Sequence, residues 1–142
     1  MDPKIKTIDQ FFKIKKKLTN KKIVLCHGAF DLIHYVHIEH LKKAKSFGDI
    51  LVVSLTSDKF VKKLIKSPMF DINSRASVLK NFKIVDYVIL NNNASAIEVL
   101  EKIKPDFYCK GEEYKKSDNV GNLKKELTCA KKNKIQVKFI GE

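Results

Sequence analysis

The sequence predicts an α/β fold, an open sheet of five parallel strands with helices on both faces, built as a single domain over residues 1–142. Three observations predict it. Short continuous apolar runs such as IVLC and ILVVSL have the length and composition of strands covered on both faces. Between them lie stretches with apolar residues at helical spacing, and Gly, Pro, Asp or Asn marks the junctions. Strand and helix alternate along the chain with no repeat and no low-complexity linker, so one sheet wound from both sides accommodates every element.

Residues 7–18 open the series as an amphipathic helix, with Thr7 and Gln10 as a capping box and Ile8, Phe11 and Phe12 facing inward. Residues 23–26 form the first strand, residues 27–31 a tight glycine-containing turn. A helix then begins near His34 and runs from about residue 36 to 47, with Leu41 and Ala44 on its apolar side and Gly48 as its stop. Residues 50–55 are the second strand. Asp58 caps a short helix through Ile65, and a loop over residues 66–72 carries Pro68. Asn73 opens a helix to about Phe82, residues 86–90 make the third strand, and residues 94–103 a helix with Ile97, Leu100 and Ile103 on one side. Pro105 ends that helix. Residues 106–109 are a short fourth strand, residues 110–122 a polar loop, residues 123–132 a helix and residues 135–140 the fifth strand.

Composition narrows the function. The chain has 142 residues, 44% of them apolar, which suffices for a core without disulfide support. It holds no apolar run of membrane-spanning length, and its start, MDPKIKTIDQ, lacks the apolar segment of a secretion signal. The three cysteines, Cys26, Cys109 and Cys129, are an odd count without metal spacing and read as buried thiols in a reducing cytoplasm. A net charge of +13 raises the question of nucleic acid, yet 28 of the 29 basic residues are lysines dispersed over nearly every segment. Nucleic acid is therefore not the expected partner. The field favours small anionic ligands such as nucleotides and sugar phosphates.

The stretch from Ile23 to Asp49 marks a site for such a ligand. A strand that enters a helix through a glycine turn gathers backbone N–H groups and the positive end of the helix dipole at one point. His34 and His37, three residues apart, fall on one helical face beside it. His27, His34, His37 and His40 lie close in sequence, but no carboxylate or cysteine completes a metal set, and no resident metal is expected.

The motif GAFDLIHYVH, with GD downstream, resembles the signature G-x-F-D-x-x-H-x-G-H of the cytidylyltransferase-like nucleotidyltransferases, whose fold is Rossmann-like. Further segments agree in order: LTSD ending at Asp58, Arg75 beyond it, VDYVI, and KPDFYCKGEEY ending at Tyr114. The similarity extends from Lys22 to about Gly121. It is greatest to the adenylyltransferase domain that activates heptose 1-phosphate, and next to glycerol-3-phosphate cytidylyltransferase.

The resemblance implies transfer of a nucleotidyl group from CTP or ATP to a sugar phosphate or polyol phosphate, with release of pyrophosphate. Such a reaction needs no protein nucleophile; catalysis is positioning and neutralisation of charge on phosphate oxygens. By resemblance, the backbone of Gly28, Ala29 and Phe30 cradles the triphosphate, Asp31 holds the turn, and His34 and His37 donate to the phosphates. Lys66, or else Lys62 or Lys63, bridges acceptor and triphosphate, and Arg75 clamps phosphate with its planar fork. Lys110, Gly111, Glu112 and Glu113 match the loop that contacts the base. Mg²⁺ would accompany the nucleotide, and dimerisation is usual among similar proteins.

Two departures bear on activity. The signature glycine between the histidines is Val36, which places a branched side chain at the start of the helix. Family members also continue past the fifth strand to a Ser/Thr-rich turn and a last phosphate-binding helix, whereas this sequence stops at Glu142. A nucleotide-binding relative with impaired catalysis, or a truncated domain, is the alternative reading. A basic nucleic-acid module is a second.

Overall fold

The computed structural model describes residues 2–60, 70–93, 95–111 and 121–141. In chain order the elements are β1 (Ile5–Lys6), α1 (Ile8–Lys15), β2 (Ile23–Gly28), α2 (Tyr35–Lys45), β3 (Ile50–Thr56), α3 (Ile72–Lys80), β4 (Tyr87–Asn91), α4 (Ile97–Ile103), β5 (Phe107–Gly111), α5 (Gly121–Lys132) and β6 (Gln136–Ile140). Residues 58–60 are also helical, and the remainder of the helix expected there lies outside the described residues. No described helix is long and apolar enough to cross a membrane.

The strands form one six-stranded sheet in the order β1-β4-β3-β2-β5-β6, and every pairing is parallel. The sequence predicts five strands, and β1 is the addition. It pairs only two residues, Ile5 with Val88 and Lys6 with Ile89, at the outer edge of β4. A two-residue strand is too short to show a period in the sequence. The Lys4 ammonium ties the edge down by donating to the Lys80 carbonyl at 2.9 Å.

Alternation along the strands divides the core between two faces. Leu25, Val52, Ile89 and Tyr108 pack against α1, α4 and α5, through Phe11, Leu100 and Ala130 among others. Val24, Cys26, Val53, Leu55 and Cys109 pack against α2 and α3, through Leu41, Ala44, Ala76 and Leu79. Strands apolar on both faces are what this arrangement requires, since helices cover both. Each fully buried Leu or Ile contributes on the order of 1.5–3 kcal/mol.

Helix limits follow local chemistry. The Thr7 hydroxyl accepts from Gln10 N at 3.1 Å and the Gln10 side chain accepts from Thr7 N at 2.9 Å, completing the expected capping box of α1. Asp71 caps α3 by accepting from Ser74 N at 2.8 Å. At the foot of α2, Gly48 has no room for a side chain: a Cβ there would come within 2.8 Å of both the Lys22 carbonyl oxygen and Val24 Cγ2. Asp49 continues the junction, its N–H donating to Lys22 O at 2.8 Å and its carboxylate accepting from Lys22 N at 2.8 Å.

The chain first builds outward from β2 to β3 and β4, then returns to the other side of β2 for β5 and β6. The strand order therefore reverses at β2. In an open parallel sheet, ligands bind at the carboxyl ends of the strands at that reversal, which here is the turn after Gly28.

Candidate active site

The turn after β2 is held in an uncommon conformation. Phe30 has a φ of 47°, in the left-handed region, where a non-glycine residue costs about 1–2 kcal/mol. Its ring lies over Gly28, where a Cβ would stand 3.2 Å from it, and 5.7 Å from the His37 ring between centroids. Two attachments, one to Phe70 before α3 and one to Arg75 within it, hold this conformation. Asp31 Oδ1 accepts from Phe70 N at 2.8 Å. Arg75 donates from Nη1 to the Ala29 carbonyl at 2.8 Å, from Nε to the Phe70 carbonyl at 3.1 Å and from Nη2 to Asp58 Oδ1 at 2.6 Å.

Arg75 is 1% exposed. The sequence assigns it a grip on phosphate; the structure places its guanidinium behind the turn, with three donors committed to the protein. A planar fork can satisfy three acceptors in different directions, which an ammonium on a flexible stem cannot.

The two histidines form the start of α2. His34 is the N-cap and not the first helical residue, with extended backbone at φ −139° and ψ −173°. Its Nδ1 accepts from Val36 N at 3.3 Å, and His37 Nδ1 accepts in return from His34 N at 3.2 Å, a capping box made from two imidazoles 4.3 Å apart. An Nδ1 that accepts carries no proton, so each neutral ring bears its N–H on Nε2. The cap thus fixes the tautomer in which both rings are donors at their outer nitrogen. Burial, and secondarily His34, holds His37 below the ordinary histidine pKa, so it remains neutral near pH 7. Val36, between them, is 37% exposed.

The end of β5 supplies the other wall. Lys110 is 9% exposed and its Nζ lies 3.3 Å from Glu126 Oε1 on α5. Glu126, 2% exposed, also accepts from the Tyr108 hydroxyl at 2.7 Å and from Ala96 N at 3.0 Å. Burial works to raise its pKa, but Lys110 and these donors hold it below the usual carboxylate value. Sequence reasoning missed Glu126. Its signal is an acid on the buried stripe of α5, at helical spacing between Leu123 and Ala130.

The sequence gives His27, the residue before Gly28, no ligand role. In the structure it is partly buried, with Nδ1 3.0 Å from Ser54 Oγ and Nε2 3.4 Å from Thr56 Oγ1. Burial, with Lys110 adding to it, lowers its pKa from 6.5 to about 4. The unfolded chain therefore takes up this proton first as pH falls. The stabilisation is complete above pH 6.5, is lost between 6.5 and about 4, and amounts to about 3 kcal/mol. Denaturant unfolding of His27→Gln is expected to show a flatter pH dependence than the parent protein across that window; equal slopes would remove the assignment.

These elements enclose a cavity of about 900 Å³ at the carboxyl ends of β2 and β5. Gly28, Ala29, Phe30, Asp31, His34 and His37 line one side, Lys110 and Gly111 the other, and Val36 and His40 also border it. Of the residues named from sequence, the structure thus brings these eight together and sets Arg75 behind them. Lys62, Lys63, Lys66, Glu112 and Glu113 lie outside the described residues.

Known proteins with this fold and sequence agree. The family described as cytidylyltransferase-like matches residues 25–140. The bifunctional protein HldE of Campylobacter curvus is 39% identical over 122 residues, covering 84% of this chain and 26% of the relative. That of Helicobacter pylori is 37% identical over 129 residues, covering 89% and 27%. The chain spans about a quarter of the length of these relatives. Among solved structures, the lipopolysaccharide core biosynthesis protein of Thermoplasma volcanium superposes with a TM-score of 0.70 at 30% identity, covering 86% of this chain and 96% of that one. Pantoate-beta-alanine ligase of Francisella tularensis, complexed with ATP and beta-alanine, superposes with a TM-score of 0.69 at 17% identity over 96% and 66%, a likeness of fold alone. A match of this extent, on a parallel sheet whose reversal point carries the GAFDLIHYVH turn, places the chain in the cytidylyltransferase-like family of nucleotidyltransferases.

Proposed function

We propose that the protein transfers a nucleotidyl group from ATP or CTP to the phosphate of a sugar or polyol phosphate. An acceptor phosphate oxygen forms a bond to the α-phosphorus, the bond to the bridging oxygen breaks, and pyrophosphate leaves. The observation that carries this reading is the pair of imidazoles at the start of α2, both set by mutual capping to donate from Nε2. Donors fixed before the reaction stabilise the phosphate charge without reorganising.

The backbone of Gly28, Ala29 and Phe30 holds the triphosphate, and Asp31 and Arg75 keep that backbone in place through Phe70 and Ala29. Lys66, or Lys62 or Lys63, bridges the two phosphates, and the loop from Lys110 through Gly111, Glu112 and Glu113 meets the base. Mg²⁺ enters with the nucleotide. When bound it offsets phosphate charge.

A thermal-shift screen of nucleoside triphosphates with Mg²⁺ tests the binding half. A triphosphate at about 100 times its Kd adds roughly 2.7 kcal/mol and raises Tm by about 5 °C or more. Pyrophosphate release with a panel of phosphorylated sugars and polyols tests the chemistry. A Tm response to no triphosphate would refute the reading. A response without turnover on any acceptor would favour a nucleotide-binding relative, and Val36, at the cavity edge, is the residue to revert to glycine in that event.

A further inference from the structure

We infer that Glu126 is a positioning residue of the nucleotide site and acts through Lys110. The inference rests on the reading above in naming a nucleoside triphosphate as the ligand.

Strand alternation sets the problem. Lys110 leaves β5 on the same face as Tyr108, the face covered by α1, α4 and α5, whereas the helix that carries His34 and His37 lies on the opposite face. Lys110 nevertheless lines the cavity at the end of the strand. A lysine in such a place has a long stem with many rotamers, and its charge is 9% exposed and so poorly solvated. Glu126 answers both. Its carboxylate stands 3.3 Å from Lys110 Nζ, supplies the countercharge, and restricts where the ammonium can sit.

The carboxylate is itself immobilised. Oε1 accepts from the Tyr108 hydroxyl at 2.7 Å and Oε2 from Ala96 N at 3.0 Å, so one oxygen is fixed by the strand that carries Lys110 and the other by the N-cap residue of α4. A carboxylate held in this way, 2% exposed and on a helix whose described residues do not line the cavity, acts on the site only through the cation it faces. The structure gives that cation a boundary with the cavity, opposite the histidines.

The test is a double-mutant cycle on triphosphate affinity. Titration of ATP and of CTP, each with Mg²⁺, is carried out on the parent protein, Glu126→Gln, Lys110→Met and the double variant. Glutamine keeps the shape of the side chain and one acceptor, for Tyr108 or for Ala96 N but not for both, and offers the ammonium no countercharge. Glu126→Gln is expected to weaken the better-bound triphosphate about tenfold, and to weaken it no further in the Lys110→Met background. Equal weakening in both backgrounds would overturn the inference, because a structural role does not depend on Lys110. If Glu126→Gln does not fold, Tyr108→Phe takes its place in the cycle, removing one fixing donor and no charge. The same dependence on Lys110 is expected, with a smaller factor, and additivity again overturns the inference. Should the parent protein bind neither triphosphate, the functional reading fails and the inference falls with it; binding with an additive cycle refutes the inference alone.

Discussion

Alanine at His34 or His37 is expected to lower nucleotidyl transfer by about 10²-fold or more, the usual loss when a preorganised transition-state donor is removed. The two substitutions differ in what else they disturb. His34→Ala removes the N-cap of α2, whose imidazole accepts from Val36 N, and costs about 1 kcal/mol of stability as cap losses do. His37→Ala removes the partner that accepts from His34 N, leaving the first cap in place. Because His37 is the more buried ring and is held neutral, its loss should fall on turnover more than on Tm. Steady-state kinetics at saturating triphosphate, alongside thermal unfolding, separate the effects. Unchanged turnover in both variants would remove these residues from the reaction.

Loss of Arg75 is expected to be the most destabilising single change at the site, about 3–5 kcal/mol for Arg75→Met. Removal leaves the Ala29 and Phe70 carbonyls and the Asp58 carboxylate, all partly buried or exposed, without the donor they share, and takes the fully buried guanidinium stem out of the packing beneath the turn. The left-handed Phe30 loses one of its two attachments at the same time. Arg75→Lys is expected to recover only part of the stability, since one ammonium cannot meet three divergent acceptors. Denaturant unfolding with parallel triphosphate titration decides between roles. Stability within about 1 kcal/mol of the parent protein combined with lost triphosphate binding would show direct phosphate contact and contradict a role beneath the turn.

The sheet was legible because strands buried on both faces need apolar sequence, and residues 23–26, 50–53 and 87–90 have it without a break. β1 was not, because its two residues are held by pairing with β4 and by Lys4, neither of which leaves a local pattern. The helix start near His34 is legible in the sequence, but that His34 is its N-cap is not. Histidine is not a usual N-cap, and only the reciprocal bonds with His37 and Val36 make it one. For Arg75 the sequence discloses the residue type, while its bonds to Ala29, Phe70 and Asp58 emerge only from the fold. Glu126 shows the limit most plainly. Its partners Ala96, Tyr108 and Lys110 are 30, 18 and 16 residues away, and they meet only after α5 has packed on the sheet.

Gly48 has a bearing on the chemistry that its position conceals. α2 has eleven residues, so its foot stands roughly 16 Å from the imidazoles. With backbone and Val24 filling the space where a side chain would project, the helix is seated like a rod in a socket. Any bulk added there must lever the rod, and the swing is greatest at the far end. The aim of His34 and His37 thus depends on how the foot of the helix is packed, and damage there would present as lost turnover in a protein whose every reactive group is intact.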